Sequence, residues 1–165
     1  MRLKPNTLIV VAGPTASGKT ALAIQIAKAV DGEIVSADSM QIYRGVDIAT
    51  AKPTPEELAA VPHHLIGFLP MDRAFSVADY AELARKEIND ILSRGKVPVL
   101  CGGTGLYIKA IVDNVQYSEA ITGDEALRER LRQLAEREGN DALWRRLEAM
   151  DPETAKRIHP NNVGR

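Results

Sequence analysis

Near the start of the chain, Gly13-Pro14-Thr15-Ala16-Ser17-Gly18-Lys19-Thr20 fills every position of the pattern G-x-x-x-x-G-K-[ST]. Glycines in such a loop let successive backbone N–H groups turn inward, and the positive end of a following helix adds to them, so a pyrophosphate finds donors on several sides. Lys19 supplies a mobile point charge, and the hydroxyl of Thr20 suits Mg²⁺, which keeps waters and phosphate oxygens rather than a full protein cage. A glycine-rich turn capping a helix is the plainer alternative. The β-branched run before the loop and the helix formers after it supply the context the motif requires. The loop specifies pyrophosphate and leaves the reaction open, since nucleotide kinases, ATPases and GTPases share it.

Two further clusters follow apolar runs in the same way. Asp38-Ser39-Met40-Gln41-Ile42-Tyr43 offers a carboxylate that could partner Mg²⁺ or take a proton from an attacking group. An Asp-Ser pair is also an ordinary turn cap, and these readings stay open on the residues alone. Gly102-Gly103-Thr104-Gly105 could form a second nest of N–H groups with Thr104 offering its hydroxyl, or a tight strand-to-helix turn.

Apolar runs and helix formers alternate around these clusters. Thr7 to Ala12 has the pattern of a buried parallel strand. Ala21 to Val30 reads as a helix with Leu22, Ile26 and Val30 on one face, stopped by Asp31-Gly32. Glu33 to Ala37 is a second strand, residues 45 to 53 a loop, and Thr54-Pro55-Glu56-Glu57 the capped start of a short helix. His63 to Leu69 reads as a third strand. Ser76 caps a long helix from Val77 to Arg94 with Ala81, Ala84, Ile88, Ile91 and Leu92 at helical spacing. Val97 to Cys101 is a fourth strand, and Leu106 to Val112 opens another helix. Strand and helix alternate, which predicts an α/β fold: a mostly parallel sheet with flanking helices and its ligands at the carboxyl ends of the strands. After Asn114 the pattern changes to two helices, Asp124 to Glu138 and Asp141 to Met150, then a helical turn at Asp151-Pro152.

The 165 residues are 45% hydrophobic and 26% charged, a globular composition. Lys and Arg number 21 against 22 Asp and Glu, so no global basic field points to nucleic acid. A single cysteine, Cys101, excludes an internal disulfide, and no Cys/His spacing suits structural zinc. The apolar run Leu8 to Ala12 is too short for a signal-peptide core or a membrane span, so we expect a cytoplasmic protein with no membrane partner.

Taken together, the phosphate loop, Asp38 to Tyr43, Thr50-Ala51-Lys52-Pro53-Thr54, Pro62-His63-His64-Leu65-Ile66, Phe75 to Tyr80, Gly102 to Tyr107 and His159-Pro160-Asn161 resemble the bacterial tRNA dimethylallyltransferase family. They occur in family order over nearly the whole chain. The resemblance implies a phosphate-loop NTPase-like core over residues 1 to 114, a small helical hairpin insertion over 115 to 160 that contacts tRNA, and a return segment beginning at 161 to 165. It implies that N6 of the adenosine 3′ to the anticodon attacks the allylic carbon of dimethylallyl diphosphate, with diphosphate leaving. On this likeness the loop 13 to 20 holds a leaving group, whose growing charge Lys19, the N–H cradle and Mg²⁺ on Thr20 stabilise. Asp38 is then the base at N6, and Thr104 bonds near the reacting centre. Asp38, Ser39, Met40, Gln41 and Thr104 meet the flipped adenine, and Asn162, Val163, Gly164 and Arg165 join the tRNA contact. The alternative function is a small-molecule phosphate-loop kinase, which would call for an arginine-rich lid not evident between Gly45 and Ser76. One departure is Gly67, where the family usually has Asp. The family pattern also continues past Arg165, so further core elements and a diphosphate-binding arginine are expected there.

Weaker signals have plainer readings. Arg128, Arg130, Arg132, Arg137, Arg145 and Arg146 concentrate on the hairpin, where interleaved acids, such as Asp124 opposite Arg128, favour a salt-bridged solvated face. Leu127, Leu131, Leu134, Leu143 and Leu147 suit the hairpin's own apolar seam. His63 and His64, adjacent in a strand, face opposite ways and suit packing rather than a shared metal. Cys101 suits the core.

Overall fold

The computed structural model describes residues 4 to 47, 50 to 115 and 125 to 163. It divides into two compact units, Met1–Tyr117 and Ser118–Arg165.

The first unit is a four-stranded parallel sheet built from β1 (Ile9–Ala12), β2 (Gly32–Ser36), β3 (His63–His64) and β4 (Val97–Gly102), in the order β1-β4-β2-β3. Helices α1 (Lys19–Val30), α2 (Pro55–Ala60) and α3 (Val77–Ser93) connect them, and α4 (Gly105–Val112) follows β4. Alternation along the strands divides the core in two. Ile34 and Val99 pack with Ala23, Ile24 and Ala27 of α1, while Val35 and Leu100 pack with Tyr80, Ala84, Ile88 and Ile91 of α3. Capping boxes open α2 and α3, where Thr54 pairs reciprocally with Glu57 and Ser76 with Asp79.

Three expectations need correction. Strand β1 lies at an edge of the sheet, with Val10 38% exposed, because its only partner among the described strands is β4. The buried face of α1 is Ala23, Ile24 and Ala27, and Leu22 is exposed. Small residues win that face because helix and sheet approach closely: a Cβ on Gly32 would meet the Val97 carbonyl oxygen at 2.5 Å and Ala27 Cα at 3.4 Å. The third strand stops after His64, since Leu65 and Gly67 adopt left-handed φ values of 61° and 58° that interrupt an extended run. Among the described residues, an isolated parallel bridge then joins Tyr43 to Leu69.

The second unit contains α5 (Glu125–Glu138), α6 (Asn140–Met150) and the short α7 (Pro152–Ala155). The Trp144 indole N–H donates to the carbonyls of Ile158 at 2.8 Å and Ala155 at 3.2 Å, tying α6 to the segment after α7. A groove of about 830 Å³ runs among these pieces, lined by leucines including Leu131, Leu143 and Leu147 and by Arg128, Arg132 and Arg146. Arg132 pairs with Glu129 at 2.9 Å, as a solvated charged face would. Asp124, expected to pair with Arg128, lies outside the described residues.

Candidate active site

Three loops meet at the carboxyl ends of β1, β2 and β4. The first is Gly13 to Gly18, which winds through left-handed Ala16 (φ 60°) and Gly18 (φ 80°) into the start of α1. The Ser17 hydroxyl donates to the Pro14 carbonyl at 2.8 Å, and the Lys19 ammonium folds back onto the same oxygen. Thr20 follows in the first turn of α1, half-buried. The local geometry is that of a turn whose backbone N–H groups precede a helix N-terminus, the arrangement that receives phosphate.

The second loop leaves β2 at Ala37. Asp38 Oδ1 accepts from the backbone N–H of Met40 at 2.9 Å and, at a longer 3.4 Å, from that of Gln41. One carboxylate oxygen therefore caps the turn, as the plain reading of Asp-Ser holds. An ionised carboxylate has lone pairs on both oxygens, so this capping leaves Oδ2 for other work.

The third loop, Gly103-Thr104, is fastened to the second. The Thr104 N–H donates to the Ala37 carbonyl at 3.0 Å, and the Thr104 hydroxyl accepts from the Ser39 N–H at 2.9 Å. A Cβ on Gly102 would lie 2.2 Å from the Ala37 carbonyl oxygen, a separation no side chain tolerates. A Cβ on Gly103 would come within 3.3 Å of the Gly13 carbonyl oxygen, which places the third loop against the first. Cys101 reports the same convergence: burial pushes its thiol pKa up, nearby Lys19 opposes that shift and nearby Asp38 reinforces it.

Behind the Asp38 loop lies a pair that the helix spacing could have supplied, since Tyr80 is four residues before Ala84 and eight before Ile88. The ring of Tyr80 stacks on that of Tyr107 with centroids 3.9 Å apart and planes 6° from parallel. The Tyr80 hydroxyl donates to the carbonyl of Ser36, the last residue of β2, at 3.0 Å. Burial pushes the phenol pKa of both rings up; Tyr43, Asp79 and Asp38 add to the shift at Tyr107.

A family model described as IPP transferase matches residues 41–165. The chain belongs to the IPP transferase family. The match begins at Gln41, at the end of the Asp38 turn, and covers all of the third loop, while the phosphate loop and Asp38 lie before it. The tRNA dimethylallyltransferase of an Exiguobacterium strain is 54% identical over 163 residues, 99% of this chain and 52% of the relative. That of Bacillus subtilis is 50% identical over 158 residues, 96% of this chain and 50% of the relative. Among solved structures, the full-length tRNA isopentenylpyrophosphate transferase of Bacillus halodurans superposes with a TM-score of 0.67 at 45% identity, covering 96% of this chain and 52% of that one. A eukaryotic dimethylallyltransferase acting on tRNA gives 0.77 at 29% identity, covering 94% of this chain and 38% of that one. The chain thus spans about half the length of the curated relatives it matches. IPP transferase membership agrees with the parallel sheet and flanking helices, and it leaves the kinase alternative without support.

Of the residues expected to act together, the structure brings the loop 13 to 20, Asp38, Ser39 and Thr104 to one end of the sheet. Met40 stands 55% exposed on the same turn. Asn162 and Val163 belong to the second unit, where the Asn162 N–H donates to the His159 carbonyl at 2.8 Å. Gly164 and Arg165 lie outside the described residues. The two histidines of β3 do not share a ligand: His64 pairs with Glu33 at 2.8 Å and Glu87 at 2.9 Å, while His63 Nδ1 meets the Val61 carbonyl at 2.8 Å.

Proposed function

We propose that the protein acts in transfer of a dimethylallyl group from dimethylallyl diphosphate to N6 of the adenosine 3′ to the anticodon in tRNA. The observation that carries this reading is the junction of the phosphate loop with the Asp38 and Thr104 loops, in a chain of the IPP transferase family. In the step, the N6 lone pair forms a bond to the allylic carbon. The carbon–oxygen bond breaks, its electron pair leaves with diphosphate, and the N6 proton passes to Asp38 Oδ2.

Lys19 swings from the Pro14 carbonyl to the phosphates, adding charge where the leaving group develops its own. Among the described residues no group of three or more His, Cys, Asp or Glu side chains is placed to hold a metal. A cation at this site would be held by Thr20 and phosphate oxygens, a donor set that fits Mg²⁺. Bound there, Mg²⁺ would offset charge on diphosphate. The turn of Ser39, Met40 and Gln41 borders the adenine, with Met40 open for contact with its face; the family likeness separately assigns Asn162, Val163, Gly164 and Arg165 to binding of the tRNA anticodon stem-loop. No described helix is long and apolar enough to cross a membrane, and a cytoplasmic tRNA-modifying role accords with that.

The test is incubation of the full product of the gene with radiolabelled dimethylallyl diphosphate and, separately, tRNA, AMP and ATP. Label in tRNA alone supports the proposal; label in free nucleotide, or in none of the three, overturns it.

A further inference from the structure

Gln41 lies on the turn that borders the adenine, yet its side chain is spent inside the protein. Its amide nitrogen donates to the carbonyls of Thr50 at 3.2 Å and Ala51 at 3.1 Å, which uses both N–H bonds of the group. Its amide oxygen faces the hydroxyl of Ser36, a buried residue of β2, at 3.4 Å. The backbone of Gln41 is held as well: its N–H points to Asp38 Oδ1 at 3.4 Å, and its carbonyl accepts from the Gly67 N–H at 2.8 Å. Four segments, at residues 36, 38, 50 to 51 and 67, thus converge on one residue three positions beyond Asp38.

A base-reading glutamine needs a free amide edge, with its donor and acceptor both turned to the nucleotide. Here that edge faces loop carbonyls. We propose that Gln41 is a positioning residue: its side chain braces the turn so that the N–H groups of Met40 and Gln41 hold Asp38 Oδ1, leaving Oδ2 toward the attacking amine. The inference rests on the prenyl-transfer reading given above. It assigns recognition of the adenine edge to groups other than the Gln41 amide.

The test uses the full product of the gene with Gln41→Met, which keeps length without hydrogen bonds, and Gln41→Glu, which keeps shape but cannot donate to the two carbonyls. With an anticodon stem-loop and dimethylallyl diphosphate, both variants should lose kcat on the order of 10- to 100-fold, the cost of a misplaced reacting group. KM for the stem-loop, and its binding discrimination against a stem-loop with inosine at the target position, read from the inhibition constant of that analogue, should stay as in the parent. Amide exchange at Met40 and Gln41 should quicken in both variants. A raised KM with lost discrimination would make Gln41 a base reader and overturn the proposal, as would unchanged kcat. If Gln41→Met does not fold, Gln41→Glu carries the comparison. If the parent transfers no label, prenyl transfer fails as a function, and the amide exchange still decides whether Gln41 braces the turn.

Discussion

The hydroxyl of Thr104 accepts a hydrogen bond from the backbone N–H of Ser39 at 2.9 Å and lies 3.2 Å from the Ser39 hydroxyl, to which it donates. Thr104 occupies the N-cap position of α4, where a threonine hydroxyl ordinarily satisfies its own helix, yet it makes no such bond. Its hydrogen-bonding capacity crosses instead to the loop after β2. This cross-link sets the distance between the phosphate side of the site and the Asp38 turn.

Thr104→Ala should therefore cost rate more than stability. Losing one partly buried acceptor leaves the Ser39 N–H unpaired, a penalty of about 1 kcal/mol, so the melting temperature should fall by only a few degrees. Thr104→Ser retains the hydroxyl and should keep most prenyl transfer. Equal impairment in Ser and Ala variants would assign the effect to packing of the methyl group.

Asp38→Asn separates the two roles of that side chain. Asparagine accepts from the Met40 N–H as well as aspartate does and caps turns equally well, so the loop should survive. It cannot take the N6 proton. Single-turnover transfer should drop on the order of 10² to 10⁴ fold, the usual loss for a general base, with diphosphate affinity nearly unchanged. Parent-like rates would reduce Asp38 to a turn cap.

Lys19→Ala should weaken dimethylallyl diphosphate binding by roughly 10- to 100-fold, the worth of one charge-assisted hydrogen bond. The side chain rests on the Pro14 carbonyl and supports little core, so the fold should hold. Calorimetry that found equal affinity in parent and variant would remove the loop from ligand binding.

Gly102→Ala tests how closely the second and third loops pass. Its Cβ would stand 2.2 Å from one backbone oxygen and 2.3 Å from the carbonyl carbon of Ala37, so the backbone itself must shift. A loss of at least about 1 to 3 kcal/mol is expected from such overpacking. Gly105→Ala, with open space around the added methyl, should be nearly neutral in stability. Denaturant midpoints of the two variants make the comparison, and equal midpoints would mean that the loops part easily.

Much of this was legible in the residues because local chemistry and tertiary structure agree. The phosphate loop carries its own geometry, and Thr54 and Ser76 cap their helices with the acids three residues on, as their spacing states. What was not legible depended on neighbours. The run Leu65 to Leu69 has strand-like composition, but left-handed backbone at Leu65 and Gly67 turns it toward Gln41 and Ile42. On α1 the larger side chains marked the wrong face, because proximity of helix and sheet favours Ala23 and Ala27. Asp38 looked like either a cap or a base, and the structure has one oxygen capping while the other remains available.

Glu33 carries the clearest dependence on pH. It is buried at the start of β2, where Arg94 holds it with both terminal guanidinium nitrogens, Nη2 to Oε2 at 2.8 Å, and His64 and Lys96 reach it at 2.8 Å and 3.3 Å. Arg94 chiefly, against the opposing effect of burial and helped by His64 and Lys96, lowers the carboxyl from its ordinary 4.5 to about 2. A depressed carboxyl binds its proton less readily in the folded chain than in the unfolded one. Its stabilisation is therefore complete above the ordinary value and disappears as pH falls from about 4.5 through 2. The difference corresponds to ~3 kcal/mol at neutral pH. Glu33→Gln removes that titration and leaves Arg94 and Lys96 without their shared partner, so it should be less stable than the parent by about that amount at pH 7. The gap should narrow as both proteins are taken toward pH 2, because the parent's carboxyl is by then about half protonated in the folded chain and almost wholly so in the unfolded one. Glu87 and Asp90 also pair in this cluster and are unchanged in the variant, so the difference between parent and variant isolates Glu33. Urea unfolding at pH 7, 4 and 2.5 measures it, and a gap that stayed constant across the three would mean that Glu33 contributes by shape rather than by charge.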